Sequence, residues 1–172
     1  IIHTYCVIND TIYVMFGYYE GLYGIDIDGG EAVNYGEYWG SMAVCGDFIY
    51  VLSGNLYEIN IATHKTTTYD LSFIYKQSQI KNFFITENGT IYLITETNNP
   101  EISDVYCISS SDTYHFEQKI TSVPAMFEYG GYIYFCEGKS LYRFNSSHPT
   151  PEAVGELPAG MMFRFALDLQ NH

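Results

Sequence analysis

Gly46-Asp47-Phe48-Ile49-Tyr50-Val51 is one of four copies of a single phrase: a turn signal, then Ile-Tyr, then an apolar residue. The others are Asn9-Asp10-Thr11-Ile12-Tyr13-Val14, Asn88-Gly89-Thr90-Ile91-Tyr92-Leu93 and Gly130-Gly131-Tyr132-Ile133-Tyr134-Phe135. From Tyr13 to Tyr50, Tyr92 and Tyr134 the steps are 37, 42 and 42 residues, the period of one propeller blade. A fifth pair, Ile74-Tyr75, has no turn before it and is out of phase.

Each Ile-Tyr strand is followed by a second that begins with an apolar residue and Tyr: Leu22–Ile27, Leu56–Ile61, Val105–Ile108 and Leu141–Phe144. Apolar and polar residues alternate in most of them, which is the period of a half-buried strand. A tight turn at Asp28-Gly29-Gly30, and its counterparts at residues 62–65 and 109–112, lead to a more polar third strand. That strand reads as Glu31–Tyr35, Lys65–Leu71, Tyr114–Lys119 and Glu152–Leu157, with the polarity of an outer edge. Compact apolar segments at Thr4–Ile8, Ser41–Cys45, Asn82–Thr86, Ala125–Tyr129 and Met162–Leu169 read as inner strands.

The expectation is an all-β chain, a β-propeller of four repeated four-stranded antiparallel blades. Blades fall at about 3–37, 38–75, 80–120 and 124–158, with an additional inner strand at about 162–169. A β-sandwich of short strands offers no reason for Ile-Tyr to recur at fixed period. Five inner segments against four blades point to an arc of a larger propeller. The other solution is a ring closed by pairing Met162–Leu169 beside Thr4–Ile8. An open arc would invite self-association through its sheet edges.

Composition agrees. The 172 residues suit a single domain with a real core, and 47% of them are hydrophobic. Tyr (18) and Phe (11) are over-used, which favours a pleated, half-buried surface. Seven Lys+Arg against 20 Asp+Glu give a formal charge of −13. That field repels phosphate backbones and anionic lipid, so nucleic acid and membrane surfaces are disfavoured as partners. No apolar run reaches the roughly 18 residues of a membrane span. Ile1-Ile2 runs directly into His3-Thr4 without a basic flank, unlike a signal peptide, and the absence of an initiator Met reads as a processed product or a piece of a longer protein. Acidity leans towards an extracellular or periplasmic setting. Cys6, Cys45, Cys107 and Cys136 lie far apart in strand-like runs and read as buried thiols.

The rhythm of turn-x-Ile-Tyr followed by apolar-Tyr-x-apolar-Asp/Asn resembles the degenerate repeats of bacterial surface and periplasmic β-propellers. Kelch-like, quinoprotein-like and low-density-lipoprotein-receptor YWTD-like propellers share it. The YWTD tetrapeptide, the WD dipeptide and the sialidase Asp-box are absent, so no family's active site carries over. The resemblance implies a recognition or scaffold domain.

Few motifs speak for chemistry. Gly138-Lys139-Ser140 resembles the end of a phosphate-binding loop, but Ile133 stands where its first Gly is required. Asp26, Asp28 and Glu37 fall at calcium-loop spacings. Gly30 and Glu31 occupy that loop's fifth and sixth positions, which rejects it. The five histidines, His3, His64, His115, His148 and His172, show no metal-ligand spacing. No cofactor or metal is expected. Asn9, Asn88 and Asn145 open glycosylation-type triplets, two of which are simply the turns before Ile-Tyr.

Loops between the two middle strands and those leading to the next inner strand share one rim of a propeller. That rim carries Tyr18, Tyr19, Glu20, Glu37, Tyr38 and Trp39 in the first repeat and Phe73, Ile74, Tyr75 and Lys76 in the second. Residues 96–101 and Met161-Met162 extend it. Aromatics there can stack on a sugar or anchor a protein, or they can seal blade against blade. The leading expectation is a non-catalytic binding domain for a protein or carbohydrate, with Tyr18, Tyr19, Glu20, Glu37, Tyr38, Trp39 and Tyr75 at its rim. A polysaccharide hydrolase or lyase using Glu20, Glu37, Glu96 and Glu101 as acid and base is the alternative. A structural arc completed by another chain is the third.

Overall fold

The computed structural model describes residues 2–16, 21–75, 80–96, 103–108, 113–118, 126–137 and 139–156. Among the described residues, sixteen strands form four four-stranded antiparallel sheets, each a simple meander. The first holds β1 (Ile2–Ile8), β2 (Thr11–Phe16), β3 (Gly21–Asp26) and β4 (Val33–Gly36); the second β5 (Ser41–Cys45), β6 (Phe48–Ser53), β7 (Asn55–Asn60) and β8 (Thr66–Tyr69). The third holds β9 (Ile80–Ile85), β10 (Ile91–Glu96), β11 (Ser103–Ile108) and β12 (Thr113–Gln118). The fourth holds β13 (Met126–Tyr129), β14 (Tyr132–Glu137), β15 (Ser140–Phe144) and β16 (Glu152–Glu156). This is the all-β, four-bladed pattern expected from the repeat, with strand ends within a few residues of the sequence reading. Met162–Leu169 lies outside the described residues.

The sheets divide between two compact units, Ile1–Lys76 and Gln77–His172. In the first unit β1 lies beside β5, and in the second β9 lies beside β13, so each pair of sheets converges at its innermost strands. The side-chain faces explain why. In the first unit Tyr13, Met15 and Leu22 from one sheet meet Ile49, Val51 and Ile59 from the next. In the second, Tyr92, Ile94, Val105 and Cys107 meet Ile133, Phe135 and Phe144. Residues two apart on a strand share a face. The rule is therefore the same in both units: a Tyr-x-apolar face packs on an Ile-x-apolar face. Full burial of each such side chain stabilises by about 1.5–3 kcal/mol.

The phrase's turn signals do local work. Asn9 and Asp10 both take positive φ, 47° and 60°, the two-residue turn whose twist matches antiparallel strands. Thr86, buried before the Asn88-Gly89 turn, accepts the Thr90 N–H at 3.0 Å and donates to the Thr90 carbonyl at 3.1 Å. Gly24 faces Tyr13 across β2 and β3, and a Cβ there would lie 3.0 Å from both the Tyr13 and Tyr35 rings. Those rings use the vacated space to meet edge to face at 5.5 Å.

One short helix was not foreseen. Residues Ser72–Tyr75 form a single turn, α1, where the sequence reads as loop. The Ser72 N–H donates to Asp70 Oδ1 at 2.9 Å, the arrangement of an N-cap. Ile74 turns inward and is fully buried.

Three phenols in the first unit are held protonated. Burial pushes Tyr13 and Tyr69 up to about 12, and Tyr50 higher still; hydrogen bonds to Tyr35 and Glu58 add to the effect. A phenol harder to ionise when folded contributes fully below its unfolded value near 10, and the contribution is lost as pH rises towards 12. Stability measured by denaturant unfolding should thus fall between pH 10 and 12, less steeply in Tyr69→Phe. A profile flat to pH 12 would contradict this assignment. Gly40, at φ 117°, has no room for a Cβ against the Leu52 carbonyl. Gly40→Ala should cost about 1–3 kcal/mol in the same assay.

Candidate functional site

Strand register fixes one rim of the first unit. Phe16 pairs with Gly21, Leu22 with Gly36, Ser41 with Leu52 and Leu56 with Tyr69. The β4–β5 connection, the β6–β7 turn and the start of α1 therefore lie at one end of their sheets. The Asn55 side chain ties two of them, its Oδ1 accepting the Leu71 N–H at 3.2 Å.

Of the rim residues singled out in the sequence, Glu37, Tyr38 and Trp39 are described in full. Tyr18, Tyr19 and Glu20 lie outside the described residues, as do Lys76 and Met161-Met162. Tyr75 is described for its backbone in α1, and Glu96 for its backbone at the end of β10.

The three adjacent residues part company. Glu37 is exposed. Tyr38 turns back onto the second sheet, where its ring lies 5.0 Å from that of Tyr57 and its hydroxyl lies 3.3 Å from Thr66 Oγ1. It packs against the first unit's core and so seals sheet to sheet. Trp39 is 53% exposed, a large ring held at the rim between a packed tyrosine and strained Gly40. Phe73, on the outer side of α1, is 44% exposed at the same rim. An exposed indole next to a carboxylate can stack on a sugar ring or fill a pocket of a protein partner.

Two carboxylates escaped the sequence reading. Glu58 accepts hydrogen bonds from Tyr50 at 2.9 Å and Tyr69 at 3.0 Å, both on Oε2. All three residues share one face of the second sheet, since Tyr50 pairs with Glu58 and β8 follows β7. The alternation of β7 does place Glu58 opposite Tyr50, but only register shows it. Burial lifts the carboxyl of Glu128, the Gly131 N–H lowers it through a 2.8 Å bond to Oε1, and nearby Glu87 raises it again. Glu128 spans the Gly130-Gly131 turn and holds it. Both carboxylates are engaged in structure.

The acidic turn after β3 closes on itself, with Asp26 Oδ1 accepting the Asp28 N–H at 2.8 Å. Among the described residues no group of three His, Cys, Asp or Glu side chains converges as a metal site. His64 and His148 sit in turns, and His64 lies against the Tyr35 ring at 4.5 Å. All four cysteines carry thiols. Burial raises the thiol of Cys6 to about 11 and those of Cys107 and Cys136 above the usual range, so these three are protonated at neutral pH.

The architecture has solved counterparts. The extracellular domain of BT4673 from B. thetaiotaomicron superposes with a TM-score of 0.58 at 12% identity, over 91% of this chain and 22% of that one. The N-terminal domain of Nup159 gives 0.53 at 10% identity, over 88% of this chain and 47% of that one. KlHsv2 with loop 6CD replaced by a Gly-Ser linker gives 0.57 at 8% identity, covering 86% and 49%. Propeller-like proteins are among these neighbours. The fold is of the β-propeller type. The likeness at such identities concerns the fold alone, and this chain spans about a fifth to a half of each propeller-like counterpart. No protein-family model matches the chain, and no curated protein matches it significantly.

The split between Tyr38 and Trp39 is measurable. Tyr38→Ala should lower the melting temperature by several degrees, from loss of the Tyr57 contact and the hydroxyl bond. Trp39→Ala should leave it within about a degree. Equal losses in both variants would show that Trp39 is also a packing residue.

Proposed function

We propose that this chain is a non-catalytic β-propeller binding domain that recognises a protein or glycan partner through the rim of its first unit. The observation that carries this reading is Trp39, 53% exposed beside exposed Glu37 in the β4–β5 connection. Phe73 adds a second exposed ring at the same rim. Structural demands already take Tyr38 inward against the first unit's core, whereas Trp39 stays exposed beside it. The formal charge of −13 favours a neutral or cationic partner. An extracellular or periplasmic setting goes with such a role, and the BT4673 counterpart is itself an extracellular domain.

The polysaccharide-acting alternative draws on Glu20, Glu37, Glu96 and Glu101. Only Glu37 has a described side chain, and no observation favours that reading.

Trp39 is the only tryptophan, so its fluorescence reports directly on the rim. Titration with a panel of soluble neutral and cationic polysaccharides and with basic peptides should yield a saturable change in emission. Trp39→Ala, followed by calorimetry, should weaken that binding tenfold or more, about 1.4 kcal/mol. Binding undiminished in Trp39→Ala would move the site away from this rim.

A further inference from the structure

The four repeats can be compared position by position, and two faces stand out. Ile49, Ile91 and Ile133 are fully buried, whereas their equivalent Ile12 is only half-buried. On the other face of the repeat, Tyr13, Tyr50 and Tyr92 are buried, whereas their equivalent Tyr134 is half-buried. The least covered Ile-x-apolar face thus belongs to the first sheet, and the least covered Tyr-x-apolar face to the fourth.

Neighbouring residues say the same. Tyr5 and Val7 pair with Val14 and Ile12 and share their face, yet they are 70% and 56% exposed. Met42, which pairs with Val51 as Tyr5 does with Val14, packs into the first unit's core. On the fourth sheet, Phe127 pairs with Tyr134 and stacks on it at 5.0 Å, and Tyr129 beside it is 51% exposed. Phe84, which pairs with Tyr92 as Phe127 does with Tyr134, packs against the second unit's core.

These surfaces are complementary by the rule that builds both cores. The Tyr13 face packs on the Ile49 face, and the Tyr92 face packs on the Ile133 face. We propose that the Tyr134 face of one molecule docks on the Ile12 face of a second copy, in a head-to-tail contact that extends the inter-blade packing between chains. Tyr5 and Val7 would then be covered as Met42 is, and Phe127 and Tyr129 would take up the role of Phe84. The charge on the Tyr134 face presents no obstacle. Arg143 is ion-paired with Glu152 and lies 4.6 Å over the Tyr132 ring, so docking does not strand a lone cation. A contact between two different faces is heterologous and generates rings or filaments rather than an isologous dimer.

The test is sedimentation velocity on the whole chain over a hundredfold range of concentration, with two variants at exposed positions. The unaltered chain should sediment at twice the monomer mass or more, increasingly so with concentration. Tyr5→Asp and Tyr129→Asp each block one face in every copy, so each alone should be monomeric, because a head-to-tail contact needs both faces. The double variant Tyr5→Asp/Tyr129→Asp should be monomeric throughout. Mixing two further double-blocked partners sharpens the reading: Tyr5→Asp/Val7→Asp keeps only the Tyr134 face, and Tyr129→Asp/Phe127→Asp keeps only the Ile12 face. Each alone should be monomeric, and together they should form a 1:1 dimer. Far-UV circular dichroism confirms that every variant keeps its strands. A monomer at all concentrations in the unaltered chain overturns the proposal, as does an association that survives with both faces blocked. A dimer lost by blocking one face but indifferent to the other would also overturn it.

Discussion

The packing of a Tyr-x-apolar face on an Ile-x-apolar face is the interaction on which everything else in this chain rests. It appears once in each unit, between the first and second sheets and between the third and fourth. A single meander of four strands has two apolar faces and cannot bury either by itself. The alternation of Ile and Tyr along the second strand of each sheet gives the two faces different characters, one led by Ile and the other by Tyr. Residues on the inner strand follow that division, with Cys6 and Ile8 serving one core and Phe84 the other.

Tyrosine brings a second constraint that isoleucine does not. Its ring is buried but its hydroxyl must be satisfied, because an unbonded polar group in a core costs about 1–3 kcal/mol. The three repeats whose tyrosine is buried meet this demand with different partners. Tyr13 turns to Tyr35, Tyr50 to Glu58, and Tyr92 accepts the Ser146 N–H at 2.7 Å from the neighbouring sheet's loop. The repeated skeleton is therefore held by non-repeated polar contacts, which give each blade an individual place in its unit.

The strands were legible in the sequence because period-two alternation and turn residues are local signals. Ser41–Cys45 matches its strand end for end, and the Asn9-Asp10 and Gly130-Gly131 turns fall where the phrase put them. What the sequence left hidden depends on register or on tertiary placement. Glu58 looks like an ordinary outward residue of an alternating strand until Tyr50 and Tyr69 are seen to converge on it. The α1 turn was missed because it is a single turn, set by the Asp70 cap and by burial of Ile74 rather than by helical periodicity. At the rim, three consecutive residues read alike, and only the packing of Tyr38 on Tyr57 distinguishes it from Trp39.

Among the described residues, all four sheets join their strands in sequence order, with no strand crossing to a distant partner. Every hydrogen-bonded ladder therefore closes over a short stretch of chain. Low contact order of this kind makes the search for each sheet quick, since little chain entropy is surrendered before pairing begins. Sheets of this design can form one after another as the polypeptide emerges from the ribosome, the second meander of each unit finding the apolar face of the first already in place.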